Sequence, residues 1–212
     1  VVATGSREEF THQVGTRHDG EEIAAVAVSD AVRPGMDTAT GQRIVFAPDA
    51  GERLTRQGLR ALLRHEMVHI ATRTETVDGS PLWVLEGYAD YIGYRGTGTD
   101  PAGGVTANDL RRIAPTLVQD SLRNGLPRAL PDDAEFTAGQ GARSAYEKAW
   151  SVAAFTAEEF GVDRLTSLYR ALSTGPAEPD EVDDALREVV GLGTGDYVGR
   201  WGDWVSERLT VG

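Results

Sequence analysis

The apolar pattern of this chain changes period once, and that change limits the possible folds more than any other feature. Ahead of Thr55 the apolar residues fall in short runs. Val1 to Thr4, Ile23 to Ser29 (IAAVAVS) and Arg43 to Ala47 (RIVFA) each read as a strand. The last two flank the turn-rich stretch Val32 to Gly41, which predicts a hairpin in a small sheet. Between the first two, Ser6 and Glu9 form a capping box that opens a short helix to about Val14. After Thr55 the period is helical: Leu59, Leu62, Leu63, Met67 and Ile70 recur at three- and four-residue steps. Strand signals then stop. Ser80-Pro81 reads as an N-cap with Pro at the first helical position, opening a helix to Tyr94. A Gly-rich loop covers Arg95 to Gly104, and a helix from Thr106 ends before Asn124-Gly125. Leu126 to Asp133 is a connector, and helices follow over Arg143–Phe160, Asp163–Leu172, Pro179–Val190 and Thr194–Leu209. The expected fold is α+β in one domain over 1–212. A β-containing part (1–54) packs on a helix pair (55–95), and a mainly helical lobe follows (96–212).

Composition removes several function classes. The formal net charge is -12, which argues against nucleic acid and against adsorption to anionic lipid, since both need basic patches. Cys is 0, so disulfides, thiol nucleophiles and Cys-containing metal sites are excluded, and any metal must use His, carboxylate or carbonyl ligands. No apolar run is long enough to span a bilayer. The chain opens on Val1-Val2-Ala3 as if cut from a longer protein. The expectation is an extracytoplasmic domain of a larger or processed protein, with a signal or anchor removed ahead of this numbering. Oligomeric state is not legible.

His65-Glu66-Met67-Val68-His69 is an HExxH motif inside the predicted amphipathic helix. Residues four apart lie one turn apart on one face, so His65 and His69 can direct two imidazoles at one cation. Glu66, rotated from them, can hold a water that the cation also binds, which is the arrangement of a metalloprotease. The same pattern also suits an amphipathic helix whose His residues are satisfied by hydrogen bonds. A catalytic zinc takes three protein ligands and keeps a position open. Glu86, in WVLEGYADY on the next helix, can supply the third if the two helices are antiparallel. Asp90, one turn further along, fits the carboxylate that a ligating His bonds through its other ring nitrogen. A solvated helix face is the alternative for both acids. It is weakened by their neighbours Trp83, Val84, Leu85, Tyr88 and Tyr91, among which an unpaired carboxylate is costly.

HExxH followed on the next helix by Glu with Asp four later, here EGYAD, resembles the gluzincin zinc metallopeptidases, the clan of thermolysin, and most closely their peptidase MA-like bacterial branch. The likeness extends over most of the chain, including Ala145-Tyr146-Glu147-Lys148-Ala149-Trp150 and the closing Trp201 to Leu209 helix. It implies a zincin-like fold, one zinc on His65, His69 and Glu86, Glu66 as general base and Asp90 behind the ligands. The interval from His69 to Glu86 is short for the best-known members, which requires a tight link between the helices. A tetrahedral oxyanion also needs a donor. Tyr146 lies where aminopeptidase-like gluzincins place such a Tyr, and a core Tyr is the alternative; Tyr88, Tyr91 and Tyr94 are rivals. In the resembled fold a strand ahead of the motif helix forms the cleft edge and pairs with extended substrate. Here that strand is Arg43 to Ala47, so Ile44, Val45, Phe46 and Ala47 are the substrate-binding expectation.

The function expected is hydrolysis of peptide bonds in a peptide or protein substrate. Endopeptidase action is favoured because no GxMEN-type exopeptidase loop precedes the motif helix. The alternatives are a catalytically latent gluzincin-fold binding module of a larger protein and a zinc hydrolase of a non-peptide amide. Other features carry less. Gly191 to Gly195 follows a helix and has no P-loop Lys, so it reads as a helix stop and N-cap. No Ser has an elbow context. His12 and His18 read as surface residues, Glu158-Glu159 and Asp183-Asp184 as solvated helix faces, and Trp201 and Trp204 as core.

Overall fold

The computed structural model describes residues 1–15, 23–30, 38–96, 104–137 and 140–210. Its elements in chain order begin with β1 (Val2–Ala3), α1 (Arg7–Val14), β2 (Ala25–Val28), β3 (Arg43–Phe46), α2 (Ala50–Arg53), α3 (Arg56–Thr72) and α4 (Leu82–Tyr94). There follow α5 (Ala107–Ile113), α6 (Pro115–Asn124), a 3-10 turn (Asp133–Phe136), α7 (Gln140–Phe160), α8 (Val162–Leu172), α9 (Pro179–Val190) and α10 (Thr194–Thr210). The architecture is α+β, with a three-stranded sheet followed by helices. His18 and most of the stretches Val32–Gly41 and Arg95–Gly104 lie outside the described residues. His12 is exposed.

Ser6 caps α1 by accepting from Glu9 N at 3.1 Å, while the Glu9 carboxylate reaches back to Gly5 N. Phe10 and Val14 of α1 then bury against Val45 and Ala47, which gives the sheet its own small core. β2 and β3 pair antiparallel, as the hairpin expectation required, but β1 adds to the far side of β3 in parallel, and the order is β1-β3-β2. This corrects the expectation that Ile44, Val45, Phe46 and Ala47 form a cleft edge. β3 is the central strand, with hydrogen-bonding partners on both sides, and Ile44, Val45 and Ala47 are buried. β1 and β2 are the two edge strands, and the outer side of β2 is the one turned toward α3. Ala24 O and Asp30 N are used on the β3 side, so strand alternation turns the main chain of Ala25, Ala27 and Ser29 outward.

Thr55 caps α3 by accepting from Gly58 N at 3.1 Å. The helix forms where the period predicts, but its buried face is rotated from the Leu/Met stripe. Ala61, Glu66 and Val68 are buried and Met67 is 55% exposed. The reason is that α3 is packed from two sides, chiefly by β2 on one flank and α4 on the other. α3 and α4 run antiparallel, since close pairs descend one helix as they ascend the other: Ala61 with Gly93, His65 with Asp90, His69 with Glu86. At the far end Tyr169 of α8 bonds Thr72 and Thr76, fixing where α3 stops.

The N-terminus of α4 is not capped by Ser80, whose hydroxyl donates to Val77 O at 2.7 Å. Asp133 of the 3-10 turn does this instead, accepting from Leu82 N at 2.8 Å. α4 then threads between α3 and α7, and two glycines make room. A Cβ on Gly93 would lie 2.8 Å from Ala61 O, and one on Gly87 would lie 2.4 Å from Ala149 O. Backbone carbonyls cannot step aside as a side chain can. Gly87→Ala should therefore cost about 1–3 kcal/mol of stability by overpacking. The check is urea unfolding, read as a lower midpoint at unchanged slope.

The helix expected from Thr106 to Asn124 is two, broken at Ala114-Pro115, because Pro offers no N–H and opens α6 at its first position. Buried Glu147 of α7 caps that second helix, accepting from Thr116 N at 2.6 Å and Leu117 N at 3.0 Å. Glu158 is not a solvated face. It receives Val105 N, the Trp204 indole at 2.6 Å and Arg208, whose guanidinium lies 3.8 Å above the Trp204 ring. Asp183 likewise accepts Thr194 N at the start of α10. Trp201 and Trp204 sit in the main core, as their helical spacing predicts.

Candidate metal centre

The antiparallel crossing of α3 and α4 brings His65, His69 and Glu86 to one point, with one donor atom from each within 4.8 Å of the others. His65 Nε2 lies 3.0 Å from His69 Nε2 and 3.3 Å from Glu86 Oε2, which is 3.6 Å from His69 Nε2. A tetrahedral ion with donors at about 2.0–2.2 Å has donor–donor edges of about 3.3–3.6 Å. The observed triangle is nearly that size, so a small divalent cation fits without moving either helix. Two imidazole nitrogens and one carboxylate oxygen are also the donor chemistry that such an ion takes.

Asp90 Oδ1 sits 2.8 Å from His65 Nδ1. With Nδ1–H donated to that carboxylate, Nε2 is the ring nitrogen turned to the cluster, where a bound metal ion would take the place of its proton. The Asp90 expectation named either His, and the geometry selects His65. Charges in the cluster shift ionisation strongly. Burial alone would lower the His65 pKa, but Asp90 and then Glu86 hold it well above the ordinary imidazole value. Burial would raise Glu86, yet His69 and His65 hold it well below the usual carboxylate range. Asp90→Ala should weaken metal affinity by roughly 10–100-fold with the fold retained. A competition titration with a chromogenic chelator, beside far-UV circular dichroism, measures both.

Glu66 flanks the cluster without joining it. It is buried, and its Oε2 accepts the outward N–H of Ala27 on β2 at 2.6 Å. Burial raises its pKa, opposed by His65, His69 and the Ala27 N–H. Sequence reasoning missed the Ala27 contact, and nothing in the sequence marks which strand faces α3.

Tyr146 of α7 stands across from α4, one turn before Ala149, where α7 meets Gly87. Partial desolvation of a residue still 36% exposed, then the charges of Glu86, Asp90 and Glu66, push its ionisation up, so the phenol keeps its proton and remains a donor. The rival Tyr88 pairs its hydroxyl with Thr166 and packs its ring on Tyr169, and Tyr94 packs against Trp150. The structure thus gathers His65, His69 and Glu86, with Asp90 bonded to His65 and Glu66 on the neighbouring flank of α3; it packs Tyr146 of α7 against Phe136 and leaves Ile44, Val45, Phe46 and Ala47 on or beside the central strand of the sheet. No helix among the described residues is long and apolar enough to cross a membrane. Comparison with family models, with curated proteins and with solved structures gave no match to this chain.

Proposed function

We propose that this chain is a zinc-dependent metallopeptidase of the gluzincin type with a zincin-like fold. The observation that carries the reading is the convergence of His65, His69 and Glu86 on one point, with Glu66 next in the chain to His65 and held by Ala27 N. Zinc held by His65, His69 and Glu86 would supply Lewis acidity, polarising a carbonyl and lowering the pKa of water to about 7. Glu66 takes a proton from the attacking water as its oxygen adds to the scissile carbonyl carbon. When the C–N bond breaks, Glu66 passes that proton to the leaving amine. Tyr146 donates a hydrogen bond to the oxygen that becomes anionic. Asp90 holds the His65 ring in one orientation. An extended substrate finds its main-chain partners on the outward edge of β2 at Ala25 and Ser29, on either side of the Ala27 N–H that Glu66 takes. Pairing through the backbone suits an endopeptidase, since it makes no demand on a chain terminus.

The purified protein is expected to bind one zinc per chain, and metal analysis tests this. Stoichiometric zinc that survives His65→Ala combined with His69→Ala would reject the assignment.

A further inference from the structure

The 3-10 turn Asp133–Phe136 is braced from within. Asp132 accepts from Ala134 N at 2.8 Å, and Glu135 Oε1 reaches back to Asp132 N at 3.0 Å. Three contacts then leave this turn, one toward α4, which carries Glu86, and two toward α7, which packs on α4. Asp133 caps α4, the helix of Glu86 and Asp90. Glu135 Oε2 pairs at 2.9 Å with Lys148 of α7, the only lysine in the chain. Phe136, 9% exposed, sets its ring edge-on to Tyr146, with centroids 5.1 Å apart at 77°.

Among the described residues none hydrogen-bonds the Tyr146 hydroxyl, and the side chain is 36% exposed. Its ring is therefore aimed by packing, and Phe136 is the aromatic wall against it. Edge-to-face pairs of this kind are directional, unlike aliphatic contacts. The same turn anchors α4, so it fixes the Tyr146 ring and the Glu86 helix in one frame.

We propose that Phe136 is a positioning residue for Tyr146, holding the phenol toward the point where an oxyanion forms, with Asp133 and Glu135 as the clamp that sets the distance between the helices. This rests on the reading of Tyr146 as oxyanion donor.

Phe136→Leu keeps an apolar side chain and removes the ring. It is expected to lower kcat by about 10-fold at unchanged KM, because a misplaced donor is lost only in the transition state. Phe136→Tyr, which keeps the ring, should restore kcat to within about twofold of wild type. In a Tyr146→Phe background, Phe136→Leu should change kcat by less than about twofold, since the two act as a unit. A drop as large in that background as in wild type would overturn the proposal, because a merely structural Phe136 affects both backgrounds alike. A readout independent of turnover is the NMR signal of the Tyr146 ring, labelled and followed in the apoprotein. Wild type should show shifts from the Phe136 ring current and slow ring flips, and Phe136→Leu should abolish both. Unchanged Tyr146 ring signals in Phe136→Leu would also overturn it. If wild type cleaves no peptide, the functional reading fails, and the ring signals still decide whether Phe136 orients Tyr146.

Discussion

Glu66→Gln should bind zinc as wild type does and lose nearly all turnover, a fall in kcat of about 10²–10⁴-fold, the range for a lost general base. Zinc is retained because Glu66 lies outside the donor triangle of His65, His69 and Glu86. Turnover is lost because no other carboxylate beside the cluster is free for proton transfer: Glu86 belongs to the donor triangle and Asp90 is bonded to His65. The amide of Gln is nearly isosteric, so the fold around Ala27 should persist. The contact needs only an acceptor from the side chain, which the Gln carbonyl provides. Metal analysis and single-turnover cleavage, run on the same preparation, separate the two effects. Equal kcat in wild type and variant would rule out Glu66 as the base.

Tyr146→Phe removes one oxygen atom from a hydroxyl that makes no hydrogen bond among the described residues, so stability should change little. The ring still packs against Phe136. The whole effect should fall on kcat, lowered by about 10²–10³-fold at similar KM, as for removal of one oxyanion donor. The phenol is suited to the role because partial desolvation and the carboxylates of Glu86, Asp90 and Glu66 keep it protonated well into the alkaline range. Its activity should therefore show no tyrosine ionisation limb near neutral pH. Steady-state constants for both proteins on one cleaved peptide measure this, and a change confined to KM would assign Tyr146 to substrate binding alone.

The metal cluster was legible because its geometry is local. Two His four apart must share a helix face, and a short link forces the next helix back alongside, which leaves Glu86 and Asp90 facing them. Helix ends were legible where Pro or Gly marks them, as in α9, which starts at Pro179 and stops at Gly191. What failed depends on distant pairing. Val2–Ala3 is too short a run to reveal that it pairs with the second side of β3, which makes β3 the central strand and not an edge. The stripe of Leu59, Leu62, Leu63, Met67 and Ile70 marks α3 as an amphipathic helix but does not fix which face its neighbours bury. Small Ala61 and charged Glu66, which scarcely register in a hydrophobic period, are what the neighbouring elements bury. Gly87 and Gly93 look like helix weaknesses in sequence, and only the closeness of Ala149 O and Ala61 O explains them. Glu158 looked solvated because its partners Val105, Trp204 and Arg208 come from elsewhere in the chain.

The most direct measurement is cleavage of an unbiased peptide library by the zinc-loaded protein, beside Glu66→Ala and beside wild type stripped by chelator. The account predicts cuts at internal peptide bonds by the loaded wild type, and none by the variant or the stripped protein. No cleavage by wild type that carries stoichiometric zinc, or equal cleavage by Glu66→Ala, would contradict it and leave a metal-holding binding module in its place.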